Sequence, residues 1–593
     1  MPRHGRRSER SNRRRVIAWA VVALVIIIVG LVAWIGIRGL LAKGELEAAV
    51  PLAGQVQDQL VAGDSGAALA TSIALEKHAS SAASLTSDPV WRVAELIPFA
   101  GPNLTVVREL AGVVDQISGD AVGPLVSAAG GITISNFKPV DGTVQLQPLL
   151  DAAPQISVAA KAFTEAAYRA STIDASSALP QLQDAASQLR AAVNKAATVT
   201  SSVDRAVRLL PIVLGADGPR NYLVLFQNPA ELRAGGGIPS AMALIHTEGG
   251  HIDLAQQASS GDFPHYPDPV LTLPDATRGI YGDIVGEYIQ DVTLTPQFPQ
   301  AAALAQEMWK RQFGLDVDGV ISADPVMLSY LLDATGPVDV GNGEQLTSAN
   351  AVQVLLSDTY ARFPNPSDQD DFFAASAAAV FSRLTSGQLE PAKLITALAR
   401  AGGEGRVLVW SARPEEQAVL DGTTLNGELP VSDEEVQRFG VYLNDATGAK
   451  MDYYLKTEVA TGQAVCRQDG LVTMTAQITL TNTAPANAAT LPEYVTGGGS
   501  FGVTPGNIRT LVHVYAPPSS TSLSVTSDRT GINIHPATDS GYPVTSYELQ
   551  LAPGESKTVR VSALAAEGFS GAVKAVTTPG INTFVTENLS PIC

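Results

Sequence analysis

Residues 16–37, VIAWAVVALVIIIVGLVAWIGI, form a run of 22 residues without a charge, and no other feature constrains the chain as tightly. A helix rises about 1.5 Å per residue, so this run covers about 30 Å, the thickness of a bilayer's hydrocarbon core. Inside lipid every backbone amide needs an internal partner, so the run is expected to be helical. The fifteen residues before it carry seven arginines and one acid. Positive flanks stay on the cytoplasmic side. The expectation is a basic cytoplasmic arm (1–15), a transmembrane helix (16–37) acting as a signal anchor, and an extracytoplasmic bulk. A cleaved signal peptide would show an apolar region of about 7 to 15 residues and small residues at a cleavage site. Here the run is longer and Arg38-Gly-Leu-Leu-Ala-Lys43 follows it.

Charge is divided along the chain. The 39 basic and 58 acidic residues become 32 and 57 once the arm's seven and one are set aside, a net of −25. A nucleic-acid binder needs a basic footprint, so the acidic exterior argues against that class. There are two cysteines, Cys466 and Cys593. Outside the cytoplasm they could form a disulfide or remain two free thiols. The spacing fits no cysteine-based metal site.

About 555 residues follow the apolar run, more than a single core accommodates. Residues 44–209 are rich in alanine, leucine, valine, serine and glutamine, with apolar residues at spacings of three and four, as in LPQLQDAASQLRAAVNKAATVTSSVDRAVRLL. That period predicts amphipathic helices in a membrane-proximal bundle or stalk. Pro98 and Pro102 are expected to break the helix, with Trp91 packed nearby. Residues 210–445 alternate strand and helix patterns. NYLVLFQN, a glycine-rich loop, AMALIHTE and HIDLA read as strand, loop, strand, turn, strand, with Gly249-Gly250 as the turn. Helical patterns then follow at PQAAALAQEMWKRQFG, in DGVISADPVMLSYLLDATG and at DFFAASAAAVFSRLTSG. The alternation predicts a layered α/β domain. Residues 450–593 alternate apolar and polar positions between turn residues, which predicts an all-β sandwich, immunoglobulin-like in its hairpin LAPGESKTVRV.

Several residues could carry chemistry. Arg233 precedes Gly235, Gly236 and Gly237 in the loop after the first strand, with Asn228 and Glu231 ahead of it and Ser240 behind. Consecutive glycines allow backbone amides to approach an anion, and an arginine can clamp a phosphate. The alternative is an ordinary turn, and the spacing is that of neither a Walker loop nor a dinucleotide fingerprint. Asp262, Asp291, Asp318 and Asp324 could supply oxygen ligands to magnesium, or serve as turn and cap residues. Arg362 is a further phosphate candidate, with a surface ion pair as the alternative. His246, His251 and His265 have no metal-ligand spacing. Gly498-Gly-Ser500-Phe-Gly502 matches a nucleophile-elbow pattern, but lies in a β region without the following helix that the elbow requires.

The segments NYLVLFQNPAELRAGGGIPSAMAL, DGVISADPVMLSYLLDATGPV and NDATGAKMDYYL together resemble domain-of-unknown-function family 4012 (DUF4012), a family of anchored bacterial envelope proteins. More distantly, the basic arm, the single span, DGVISADPVMLSYLLDATGPVDV and Tyr360-Ala-Arg362-Phe363 resemble LytR-CpsA-Psr proteins. Those proteins transfer glycopolymers from a polyprenyl-pyrophosphate carrier to the cell wall. That resemblance implies a LytR-CpsA-Psr-like central domain, with Arg233 and Arg362 on pyrophosphate and Asp262 on magnesium. The pattern departs at two places: Pro239-Ser240-Ala241 stands where that family has an aspartate, and Ser260-Gly261-Asp262 lacks its arginine. Two functions follow as expectations. One is envelope or surface glycopolymer assembly on a lipid-linked glycan, with phosphotransferase-like ligase activity. The other is a non-catalytic scaffold for wall polymer or protein partners.

Overall fold

The computed structural model describes residues 7–131, 138–341, 343–527 and 532–590. The chain divides into two compact units, Met1–Asn136 with Gln145–Pro211, and Phe137–Val144 with Ile212–Cys593.

The first unit is helical. One helix, Arg7–Val61, runs through the apolar segment and onward, Pro51 included. Within it an 18-residue window reaches a mean hydropathy of 3.0 and none of that window is buried. Among the described residues it is the one helix long and apolar enough to cross a membrane, compatible with a single-pass membrane protein. After a turn capped by Asp64, helix Ser65–Thr86 runs back along it. Pro89–Ala94 follows, capped by Asp88. Gly101–Gln116 then passes through a π-helical turn, Ile117–Val122, into Gly123–Ala129. Gln147–Ser171 and Pro180–Val213 complete the set. Pro102 stands in the first turn of its helix, where a missing N–H costs nothing. Alanines make the close contacts: Ala68, Ala79, Ala82, Ala111, Ala121, Ala159 and Ala166 are wholly buried. Leucine and valine at helical spacing (Val106, Leu110, Val113) fill the space between them and Ala166, Ala170, Ile173 and Val193.

The second unit begins with a mixed sheet. Its strands are β1 (Arg220–Asn228), β2 (Ile238–Glu248), β3 (His251–Ser259), β4 (Gly319–Ala323) and, after a short pair β5 (Val338–Asp339) and β6 (Gln345–Leu346), β7 (Leu408–Ser411). The order is β3-β2-β1-β4-β7, with β1 parallel to β4 and the other neighbours antiparallel. Gly249 and Gly250 both take positive φ at the β2–β3 turn. Helix Phe298–Phe313 buries Phe298, Leu304, Met308 and Trp309 against Leu223, Leu225 and Val320 of the sheet. Pro325–Thr335 is capped by Asp324, whose carboxylate accepts from Met327 N at 2.7 Å.

The remaining strands form two five-stranded sheets. These are β8 (Val436–Asp445), β9 (Leu455–Ala464), β10 (Thr473–Asn482), β11 (Ile508–Tyr515), β12 (Thr521–Ser527), β13 (Ile534–Asp539), β14 (Tyr542–Leu551), β15 (Ser556–Leu564), β16 (Ala572–Thr577) and β17 (Asn582–Thr586). One sheet has the order β12-β15-β10-β9-β17, the other β13-β14-β11-β8-β16. Alternate residues of β10 (Met474, Ala476, Ile478, Leu480) are fully buried and meet Phe439, Val512 and Leu549 of the facing sheet in one core. On the opposite face of β10, hydroxyls pair across strands, Thr475 with Ser562 at 2.8 Å and Thr479 with Thr558 at 2.9 Å. The β-rich part starts earlier than the sequence pattern suggested. β8, expected in the α/β domain ending at 445, is hydrogen-bonded between β11 and β16. Its burial is nearly continuous rather than alternating, which removes the period-two signal. Cys466 is disulfide-bonded, and Cys593 lies outside the described residues.

Candidate functional site

The β1–β2 loop, residues 229–237, is where the glycine-rich segment falls, and it is fully engaged with the protein around it. Asn228 ends β1 and its Oδ1 accepts from Ala230 N at 3.0 Å, which starts the turn. The three glycine amides expected to cradle an anion all donate inward. Gly235 N reaches Thr293 O at 3.0 Å, Gly236 N reaches Arg233 O at 2.7 Å, and Gly237 N reaches Gln227 Oε1 at 2.7 Å. The glycines are there for close approach: a Cβ on Gly237 would lie 2.4 Å from Asn228 C, and one on Gly236 2.2 Å from Gln227 Oε1. Gly236 also holds φ at +131°.

Arg233 points into the protein, 8% exposed. Its guanidinium donates to Asp291 Oδ1 at 3.0 and 3.3 Å and to Leu232 O at 3.1 Å, and stands 3.6 Å from Glu231. Glu231 in turn accepts from Lys450, a buried lysine just beyond β8. The Lys450 ammonium lies 5.8 Å from the Tyr360 ring and 5.7 Å from the Tyr494 ring, which stack on each other. Tyr360 accepts from Asn228 Nδ2. Two buried aspartates complete the group. Asp452 Oδ2 accepts from Leu232 N at 2.8 Å, while its Oδ1 is buried without a hydrogen-bond partner among the described residues. Asp445 accepts from Thr447 N at 2.8 Å and Gly448 N at 2.7 Å.

Four carboxylates, Glu231, Asp291, Asp445 and Asp452, thus surround two cations, Arg233 and Lys450. Burial pushes Glu231 up, but Lys450 and then Arg233 outweigh it and hold the carboxyl below its ordinary value. Burial wins at Asp291, which stays raised despite Arg233. At Asp445, burial and the Glu231 charge push the carboxyl up to about 6. Burial and the Asp445 charge push Asp452 well above the usual range. Crowded, buried carboxylates thus favour their neutral forms more than exposed ones do. Burial lowers the pKa of Arg233 and of Lys450, but Glu231 raises both above their ordinary values.

This group joins the mixed sheet to the sandwich. Besides the Glu231–Lys450 pair, Asp452 N donates to Ala230 O at 3.0 Å, Asp445 N to Leu232 O at 2.8 Å, and Ala234 N to Asn444 Oδ1 at 2.8 Å. Thr578 Oγ1, beyond β16, donates to Ala234 O at 3.1 Å.

The other expected residues are placed differently. Asp291 does meet Arg233, as its ion-pair partner. Asp262 caps a short 3-10 turn: its Oδ2 accepts from Ser259 N at 2.8 Å, and its side chain is exposed. Arg362 pairs with Glu344, is about half exposed and lies 4.9 Å from the Phe363 ring. Ser240 is half-buried on β2. The clamp of Arg233 with Arg362 over an Asp262-bound metal is not assembled by any contact among the described residues. Nor does any group of three or more His, Cys, Asp or Glu side chains there stand ready for a metal. His246 bonds Asn221, His251 pairs with Asp253 and His265 with Glu287. Asp318 binds Arg220 and Arg413, and Asp324 binds Arg406.

Lys450, Asp445, Asp452 and Tyr494 were not anticipated as site residues. Three of them stand in NDATGAKMDYYL, one of the segments that carried the resemblance, so a signal was present. Residues 217–360 match the model of the family described as "Protein of unknown function (DUF4012)". No curated protein matches the chain. The DUF4012 segment contains Asn228, Glu231, Arg233, Asp291 and Tyr360, and its partners Asp445, Lys450 and Asp452 come from beyond it.

Proposed function

We propose that this protein is a membrane-anchored, extracytoplasmic scaffold of the cell envelope, which binds wall polymer or protein partners in surface glycopolymer assembly without itself transferring the glycan. In this reading the amino-terminal arm is cytoplasmic, since arginine-rich flanks stay inside, and both units act outside. The observation that carries it is the state of Arg233. The one arginine of the glycine loop spends its charge on Asp291 and Glu231 inside a group where carboxylates outnumber cations. A pyrophosphate needs cationic surroundings, above all in a transition state that gathers negative charge. Glycine amides already donating to Thr293, Arg233 and Gln227 have nothing left to offer it. The charge network holds the mixed sheet on the sandwich, so the surfaces of both are presented as one body.

The test is binding of a polyprenyl-pyrophosphate analogue to the full chain in nanodiscs, with and without magnesium, beside binding of purified wall glycan. Retention of glycan and no saturable binding of the analogue is the expected result. Saturable, magnesium-dependent analogue binding that is lost in Arg362→Ala, a substitution at an exposed position that leaves the fold intact, would overturn the scaffold reading in favour of a transferase-like site.

A further inference from the structure

The first helical hairpin returns the chain to the level at which the apolar span ends, and it presents there a built apolar tip. Three contacts fix the antiparallel register of the hairpin. Val56 packs with Ala68 near the turn, Glu45 bonds His78 at 2.6 Å midway, and Arg38 donates to Ser84 O and Leu85 O at 2.9 Å at the far end. From Arg38 to Val61 the first helix rises about 35 Å, and the second descends about as far. The connector that follows, residues 87–100, is pinned to the end of the span. Asp88 pairs with Arg38 at 3.0 Å, and the Trp91 ring lies 3.7 Å from where a Cβ on Gly39 would stand.

On this connector Leu96 is 82% and Phe99 93% exposed, with Val93 and Ile97 beside them also exposed. This is not a frayed loop. Trp91 is buried, with its Nε1 donating to Leu104 O at 3.1 Å. Phe99 is held at φ +67°, a conformation that costs energy for a residue with a side chain. Its carbonyl accepts from Asn103 Nδ2 at 2.9 Å. Gly101 N donates to Ile97 O at 2.7 Å, and a Cβ on Gly101 would fall 2.0 Å from Glu95 O, so only glycine closes the turn. Glu95 is fixed by Arg108 at 2.6 Å. Leu179, also exposed, is tied to the same end through its N–H on Asn103 Oδ1 at 2.8 Å.

We infer that the 93–99 tip is a second membrane contact, seated in the interfacial layer of the outer leaflet of the bilayer that the chain itself spans. The inference rests on the reading of residues 16–37 as a single-pass anchor. It follows from continuity: the tip is fastened to residues 38–39, immediately past the apolar run, so it lies at the height where lipid headgroups meet acyl chains. Exposed leucine, isoleucine, valine and phenylalanine there bury apolar area in lipid, as interfacial segments do. Arg92, exposed beside them, suits an anionic headgroup.

The experiment places the photocrosslinker p-benzoylphenylalanine at Ile27, Ala62, Leu96 or Phe99 of the full chain, in vesicles of phosphatidylglycerol and phosphatidylethanolamine. Mass spectrometry then reads phospholipid adducts. Ala62 lies in the distal turn of the hairpin and serves as the aqueous reference. Adducts at Ile27, Leu96 and Phe99, each many-fold above Ala62, are expected. Adducts at Ile27 with Leu96 and Phe99 as unreactive as Ala62 would overturn the tip contact and leave the anchor standing, as would crosslinks from Phe99 to a second copy of the chain in place of lipid. An Ile27 without lipid adducts would overturn the anchor, and the tip contact with it.

Discussion

Lys450→Met tests whether the buried charge group is a structural lock. The Lys450 and Glu231 side chains are 9% and 13% exposed, and they are in direct hydrogen-bonded contact. Two unit charges about 4 Å apart at an effective dielectric near 20 attract by about 4 kcal/mol. Removing one partner of a buried pair costs about 3 to 5 kcal/mol, because the other charge is stranded. Arg233 remains 3.6 Å from Glu231 and takes up part of the loss, so the expected cost is at the low end, about 3 kcal/mol. Adding Glu231→Gln removes the stranded charge and returns a large share, giving a coupling of about 2 kcal/mol in the double-mutant cycle. The assay is urea unfolding of the full chain followed by hydrogen exchange in peptides covering 228–234 and 444–454. These peptides report the junction itself in a chain whose two units need not unfold together. The slope grows with the surface exposed and exceeds about 3 kcal/mol/M for a unit of this size, so Lys450→Met lowers the midpoint by about 1 M or less. A cost under about 1 kcal/mol, or a double variant equal to the sum of the singles, would refute the lock.

Three further outcomes are expected. Gly237→Ala destabilises the junction by several kcal/mol, since its Cβ would stand 2.4 to 2.7 Å from Asn228 and Pro229 backbone atoms that cannot give way, and a thermal melt reads the loss. Arg362→Ala moves the same melt by about a degree or less, because a half-exposed ion pair with Glu344 contributes about 0–1 kcal/mol. The third concerns pH. Asp445 is raised to about 6 in the folded state, against an ordinary 3.8, so its contribution to stability falls as pH rises from about 4 to about 6, and raised Asp452 acts in the same direction. Raised Asp291 acts in the same direction, while Glu231, lowered from 4.5, gives stability that is lost only as pH falls below that value. Between pH 5 and 6 the melting temperature should therefore decline with pH, and Asp445→Asn should flatten the decline.

The sequence was most legible where one period rules an element. Apolar spacing of three and four pointed to the helices of the first unit, whereas Pro102, expected to break a helix, stands in the first turn of one, where its missing N–H is tolerated. β1, β2 and the turn between β2 and β3 were readable from short apolar runs separated by glycines, and Gly249 and Gly250 do take positive φ there. β8 was misplaced because its buried residues run almost without interruption, and its membership depends on partners about 70 and 135 residues away. The same reason hid the site. Arg233 and its glycines stood out as a pattern, but what they do is decided by Asp291, Asp445, Lys450 and Asp452, the last three more than 200 residues on. Spacing carries no information about such pairings. The cap and turn alternative for Asp262 and Asp324 was legible because a capping side chain acts within three residues of itself.

The helix that contains the apolar run continues well beyond it, and in the proposed single-pass reading it does not stop at the water line. Arg7–Val61 is one continuous helix with Pro51 inside it, so in that reading the inclination of residues 16–37 is passed on to the residues that follow. Spans commonly lean by about 20°. Over the further rise of about 35 Å past Arg38, such a lean displaces the rod's far end sideways by about a third of that length. Membrane thickness contributes to the lean, together with interfacial anchors, and the helix converts it into reach. In the proposed single-pass reading, the position of the helical unit is thus geared to the bilayer, and a thicker or thinner membrane would swing it through a different arc.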